Sequence, residues 1–269
     1  MSLTVCIRGG GDLGSGVGLR LYRSGMQVVI CELTQPLVVR RSVAFAEAIF
    51  SGSITVEGVI GKKAFSQAEI EQGFNQQVIP VVADPDLDLL SWLKADVIVD
   101  ARLLKKPVDG MTGSNPLIIG LGPGFTAGLN CHAVVETKRG QNLGRVSWQG
   151  SGEPNSGIPE MVLGYVEERV IRAPSDGVFH GLVKIGQQVG KGHKLAEVSG
   201  LAVTAAFDGV VRGLLADGVT VSSGMKVGDL DPRMDVTLTQ FVSDKALAVG
   251  GGVLEAILSR PEFREKLSW

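Results

Sequence analysis

The chain has 269 residues, 44% apolar and 20% charged, with a net charge of −2, the composition of an ordinary globular protein long enough to bury two cores. No basic run is longer than a pair such as Arg40-Arg41, Lys62-Lys63 or Lys105-Lys106, so no nucleic-acid or membrane-surface partner is expected. No apolar run nears the ~18 residues of a membrane span, the first strand begins almost at Met1, leaving no room for a signal sequence, and Cys6, Cys31 and Cys131 lack metal-ligand spacing. A cytoplasmic protein without a metal site is expected.

Residues 4 to 32 read as one unit. Thr4 to Ile7 is a short apolar strand, and Gly9-Gly10-Gly11-Asp12-Leu13-Gly14 follows it. The face Leu13, Val17, Leu21 then marks a helix that Ser24-Gly25 stops, and Gln27 to Cys31 forms a second strand ending at Glu32. Strand, glycine loop, helix, strand and acid are the dinucleotide-binding fingerprint in its proper order. Gly9 suits the tight turn, Gly11 the approach of a pyrophosphate, and Gly14 the closure of helix on strand. Phosphates would sit on the positive end of the helix, and Glu32 would accept from a ribose diol, favouring NAD-like over NADP-like ligands. Asp12 opposes an anion unless Arg8 or another cation compensates; it also suits a helix cap. Gly16 and Gly18 lower helix propensity, so a close backbone or ligand contact is expected there.

A helix is expected through Arg40 to Ala48, and strands at Ser53 to Val59, Val78 to Val82, Val97 to Asp100, Leu117 to Gly120 and His132 to Thr137. Runs as apolar as Val97 to Val99 and Leu117 to Ile119 suit the middle of a parallel sheet. Asp100 and Arg102 end one strand, and Gly122 and Gly124 lie in the glycine-rich loop Gly120 to Gly128 after another. Strand ends face the ligand crevice of an open α/β sheet, so these residues join Gly9 to Gly14 and Glu32 as candidate ligand-binding positions. Cys131-His132 offers a thiol beside an imidazole, but neighbours on a strand point to opposite faces, and a structural role is expected. Arg40 and Arg41 could reach a distal phosphate; solvated charges are the commoner outcome.

Gly, Ser, Pro and Asn dominate from Gly150 to Pro159, a linker signal. Beyond it the chain repeats itself at an offset of 32: Ala173 to Leu182 matches Ala205 to Leu214, and Gly186, Val189, Gly192 and Lys194 fall on Gly218, Val221, Gly224 and Lys226. Each copy reads as a small β-unit completed by two-fold pairing. The pattern resembles biotinyl and lipoyl carrier domains, barrel-sandwich hybrids that carry a modified lysine between their halves. Val198 to Ala202 holds no lysine, so a scaffold or contact role is expected. Gly250-Gly251-Gly252 predicts a strand or turn up to Gly252 with a helix after it, a packing turn or a second anion cradle.

The expected architecture is α/β: residues 1–150 form a Rossmann-like parallel-sheet domain that binds a nucleotide, residues 168–236 a smaller all-β barrel-sandwich-like domain, and residues 240–269 a tail packing on the first. Arg8 to Gly16, Asp100 to Arg102, Gly120 to Phe125, His132 to Thr137 and Ser243 to Ala256 resemble the YqeB-type proteins of selenium-dependent molybdenum hydroxylase systems. The resemblance implies an accessory factor that matures xanthine or purine dehydrogenase-like clients and handles molybdenum cofactor; it brings no catalytic residues with it. That cofactor is often a pyranopterin joined to a nucleotide by a pyrophosphate, a shape a glycine loop can cradle. Molybdenum cofactor and NAD both stay open as ligands, as does homo-oligomerisation. The alternatives are an NAD-dependent oxidoreductase using Asp100, Arg102 or His132, and an interaction scaffold.

Overall fold

The computed structural model describes residues 3–106, 116–154, 157 and 161–267; residues 155, 156 and 158–160 of the expected linker lie outside the described residues. The chain divides into two compact units, the first made of Met1–Pro36, Phe45–Asn155 and Val242–Trp269, the second of Leu37–Ala44 and Ser156–Phe241.

The first unit begins with β1 (Thr4–Arg8), α1 (Asp12–Arg23) and β2 (Gln27–Glu32). α2 (Ala48–Ser51), β3 (Ser53–Val56), β4 (Val59–Ala64), α3 (Gln67–Asn75), β5 (Ile79–Ala83), β6 (Val97–Asp100) and β7 (Leu117–Leu121) follow. β8 (Thr126–Ala127), β9 (Ala133–Val135), β10 (Val146–Ser147), β11 (Gly150–Ser151), and the C-terminal helices α4 (Asp244–Leu258) and α5 (Pro261–Lys266) complete it. Nine strands share one sheet in the order β10-β9-β7-β6-β1-β2-β5-β4-β3. Its middle is parallel from β4 to β9, whereas β3 and β10 add antiparallel edges. Fully buried Val5, Ile7, Val97, Val99 and Ile119 are the apolar runs that burial on both faces requires.

The expected pairing of a Rossmann-like parallel domain with a barrel-sandwich-like domain is corrected here. The large sheet is mixed, with an antiparallel hairpin at each end, because Ser53 to Val59 is not one strand. Glu57 and Gly58, at φ 46° and 85°, turn the chain back into β4, the geometry of a two-residue hairpin. Nor does a run of crossover helices cover the sheet: α4, arriving from the far end of the chain, packs on β7, β9 and β10.

α4 also corrects the expected break at Gly250 to Gly252. The helix runs through all three glycines, so they form no anion cradle, and two of them serve close packing. A Cβ on Gly250 would stand 2.9 Å from the Gly16 carbonyl, and one on Gly252 2.1 Å from the Gly144 carbonyl. The same approach accounts for Gly16, where a Cβ would lie 2.6 Å from that of Ala246. Tertiary packing thus overrides the propensity cost of about 1 kcal/mol per glycine. Gly16→Val should cost about 2–3 kcal/mol in urea unfolding, and Ala246→Gly should recover part of that loss; additive losses would mean that α1 and α4 do not meet there.

The second unit holds β12 (Val170–Arg172), β13 (Gly177–Gly181), β14 (Gln188–Val189), β15 (Lys194–Val198), β16 (Leu201–Thr204), β17 (Gly209–Leu214), β18 (Thr220–Val221) and β19 (Lys226–Asp231). They form two four-stranded sheets, β12-β19-β17-β14 and β16-β15-β13-β18. The repeat is visible as reciprocal bonding. Gly186 N donates to Val211 O at 2.8 Å and Gly218 N to Phe179 O at 2.9 Å, while Ala173 N bonds Met225 O as Ala205 N bonds His193 O. Phe179, Leu195, Val198, Val211, Val219, Val227 and Leu230 form the fully buried centre of the core. The unit is nevertheless not a self-contained 168–236 module. Leu37–Ala44 belongs to it, with Leu214 N donating to Val39 O at 2.7 Å. Among the described residues no helix is long and apolar enough to cross a membrane.

Candidate functional site

The carboxyl ends of β1, β2 and β6 lie side by side, with Arg8 opposite Cys31 on one side and Asp100 on the other. β1 passes into α1 through Gly9, at φ 102°, where a Cβ would press on the Ala101 backbone at 3.3 Å. Gly10 is held from three directions. Its N–H donates to Glu32 Oε2 at 2.7 Å, and its carbonyl accepts from Ser15 Oγ at 2.9 Å and from Ala46 N at 3.0 Å. Ser15, fully buried, also accepts from Phe45 N at 2.8 Å. It locks the loop to the segment beneath it, a role the sequence pattern does not disclose.

Gly11 is different. It is the N-cap of α1 at φ −69°, no side chain caps the helix there, and a Cβ on it would meet nothing within 4 Å. The first-turn amides of a helix lack intrahelical partners and carry partial positive charge. Asp12 is the first helical residue, not the cap, and Ser243 Oγ approaches its carboxylate at 3.5 Å. Leu13 is buried in the core. A Cβ on Gly14 would stand 2.0 Å from the Gly9 carbonyl.

Glu32 accepts from Gly10 N and, through Oε1, from Leu33 N at 2.7 Å. Burial pushes its carboxyl up from the ordinary value, and the two N–H donors oppose that rise only in part. Asp100 and Arg102 close on each other in a bidentate pair, at 2.9 Å from Nε to Oδ1 and 2.6 Å from Nη2 to Oδ2.

Other candidate positions turn out to be packing devices. Gly122, at φ 82°, has the Thr137 side chain where its Cβ would go, and Gly124 faces the Leu104 carbonyl, 2.6 Å from an added Cβ. Arg8 does not offset Asp12: its Nε donates to the Pro85 carbonyl at 3.0 Å and Nη2 joins it there. Arg40 is buried and gives Nη2 to the carbonyls of Leu238 and Phe241. Cys131 is buried, and its thiol is pushed up to about 11 by that burial, with the Asp100 charge adding and a hydrogen bond from Gly120 opposing. It is a thiol at neutral pH, not a nucleophilic thiolate. His132 Nδ1 accepts from Ile118 N at 2.9 Å, which leaves the ring proton on Nε2. Cys6 and Cys31 bring their sulfurs to 3.7 Å inside the core. Among the described residues no group of three or more His, Cys, Asp or Glu is placed to hold a metal ion.

No protein-family model matches the chain. Over 254 residues it is 46% identical to the uncharacterized protein YqeB of Escherichia coli (strain K12), covering 94% of this chain and 47% of that one. The chain therefore spans about half the length of the curated relative it matches, and the identity supports the YqeB-type family. Among solved structures it is similar to a succinylglutamate desuccinylase/aspartoacylase from Rhodobacter sphaeroides (16% identity, 85% of each chain, TM-score 0.28). Another is an aspartoacylase family protein from Mesorhizobium loti (10% identity, 86% of this chain and 85% of that one, TM-score 0.26). At such scores the likeness carries no argument about this chain's fold or chemistry.

Proposed function

We propose, from its kinship with YqeB-type proteins, that the chain is an accessory factor in the maturation of molybdenum hydroxylases and that it holds a dinucleotide-type ligand by its phosphates at the N-terminus of α1. The observation that carries this reading is Gly11: an uncapped helix start at the end of a central strand, with open space where a side chain would stand. Backbone N–H groups and the helix dipole suit a phosphate there, and the residues fit a pyrophosphate-linked ligand better on one side than the other. Gly11 is the open position, whereas Gly10 packs on Ile30 and Ala46, and Gly122 and Gly124 are filled by their neighbours. A molybdenum cofactor in its pterin dinucleotide form and NAD share the pyrophosphate that such a site recognises. Against the oxidoreductase alternative, Asp100 and Arg102 are engaged with each other and His132 with the Ile118 amide.

Gly11→Val separates binding from folding. Its φ of −69° is ordinary for any residue, so stability should stay within about 1 kcal/mol of wild type, while two methyl groups stand where the phosphate would approach. Mass spectrometry of small molecules released from the purified protein should find a pterin dinucleotide or NAD with the wild type and at least about tenfold less with the variant, a difference of ~1.4 kcal/mol or more. Equal ligand on both proteins, or normal maturation of the client hydroxylase in cells carrying the variant, would sink the reading.

A further inference from the structure

Asp12 sets a negative charge at the start of α1, where a bound phosphate needs a cation to offset it. Arg8 is not that cation, since it is spent on the Pro85 carbonyl, and Arg102 is engaged with Asp100. The fold brings another arginine to this place by way of α4.

α1 and α4 lie side by side and point the same way: Ala246 meets Gly16 and, one turn further on, Gly250 meets Arg20. Their starts meet as well, with Ser243 Oγ 3.5 Å from Asp12 Oδ2, so the positive ends of two helices lie together. Asp244, the first residue of α4 after its Ser243 cap, holds Arg139 in a fork, Nη1 to Oδ2 and Nη2 to Oδ1, each at 2.7 Å. Arg139 stands on a fixed root. The chain reaches it from β9 through Glu136, a buried carboxylate that accepts from Lys138 N and from Glu153 N at 2.6 Å each. The backbone beneath Arg139 is thereby pinned, and only its side chain has to move to change partners.

We propose that Arg139 is the residue that takes the ligand's phosphate: on binding, its guanidinium leaves Asp244 and forks onto two phosphoryl oxygens at the start of α1. This exchange rests on the reading of Gly11 as the phosphate site and supplies the positive charge that Asp12 demands there. The Asp244 side chain is 75% exposed, and an ion pair in water is held weakly, whereas a guanidinium fork on phosphate is among the stronger charge-assisted pairs. Asp244 gives up little, because its carboxylate stays at the positive end of α4. The ligand class follows from the fork, which fits the adjacent ionised oxygens of a diphosphate and not a neutral diol or amide.

The probe is inorganic pyrophosphate, titrated into the full-length chain by isothermal titration calorimetry. The wild type should bind it, Arg139→Met about tenfold or more weaker. Asp244→Asn should bind it about twofold to fivefold tighter, the worth of the exposed pair that no longer competes. Urea unfolding of both variants should match the wild type, since such a pair adds little stability. A pair that only braces the fold would shift the two affinities in the same direction or leave both alone, and opposite shifts are what the exchange requires. Equal affinity in wild type and Arg139→Met, with Gly11→Val still abolishing binding, would overturn this proposal and leave the Gly11 site standing, as would weaker binding by Asp244→Asn. No binding by the wild type, or binding that Gly11→Val leaves unchanged, would overturn both.

Discussion

Gly14→Ala is expected to leave little folded protein. The substitution raises intrinsic helix propensity by about 1 kcal/mol, and on that ground alone it should stabilise α1. Yet the added methyl carbon would stand 2.0 Å from the Gly9 carbonyl and 3.2 Å from Cβ of Ala101. The first of these contacts is backbone on both sides, so no rotamer change relieves it. Either α1 lifts from β1, or Gly9 leaves the turn that donates its N–H to Cys31 O at 2.7 Å. Each movement disturbs the core where Leu13, Val17 and Leu21 meet the central strands. A loss of about 4 kcal/mol or more belongs to the exceptional class of point changes and takes a large share of the 5–15 kcal/mol of a whole domain. Circular dichroism and urea unfolding of Gly14→Ala beside Gly11→Val provide the measurement. Two glycines three residues apart should give opposite results, one structural and one confined to ligand. Stability of Gly14→Ala near that of wild type would show that α1 does not close on β1 as described.

That contrast marks how far the sequence could be read. The strands at Thr4, Gln27, Val97 and Leu117 were legible because burial on both faces demands unbroken apolar runs, and they are found within a residue or two of the expected ends. The helix Gln67–Asn75 carried a signal that pattern-reading passed over: Ser66 caps it, accepting from Glu69 N, while Glu69 reaches back to Phe65 N at 2.7 Å, a close relative of the capping box. The expected helix from Arg40 to Ala48 breaks into 3₁₀ turns at Arg41–Val43 and Phe45–Glu47. Phe45 N and Ala46 N are spent on Ser15 and Gly10, so they cannot serve a helix. At the candidate site, the place of Glu32 at the end of β2 was legible, but its bonds to Gly10 N and Leu33 N were not. Gly122 and Gly124 were not separable from ligand-binding glycines, because Thr137 and Leu104, which fill the space above them, are distant in sequence. The same blindness applies to Gly250 and Gly252, whose reason lies in α1 and in the turn at Gly144.

Asp231→Ala should cost the second unit about 3–5 kcal/mol, the range for stripping a buried charge of its partner. Asp231 is 1% exposed and accepts from Arg233 through Nε at 2.9 Å and Nη2 at 2.6 Å. Behind it lies Arg169, its side chain 7% exposed, 3.6 Å from Asp231 and 3.7 Å from Asp229. Removing one carboxylate leaves that guanidinium with Asp229, which Arg212 already approaches at 3.3 Å. Burial alone would push the Asp231 carboxyl up, but the bonds and charge of Arg233, with Arg169 behind, more than offset it and hold it below the ordinary 3.8. A carboxyl depressed in the folded state adds stability above its unfolded value and loses it as pH falls through the folded one. Wild-type stability should therefore drop below about pH 4, and Asp231→Ala should flatten that acid limb as well as lower the plateau. Arg169→Met with Asp231→Leu should cost less than the sum of the single changes, because it removes this pair of buried charges together, leaving Asp229 to Arg212 at 3.3 Å and Arg233, 40% exposed, to water. Additive losses with an unchanged acid limb would mean that water screens this cluster and that the apolar core alone holds the unit together.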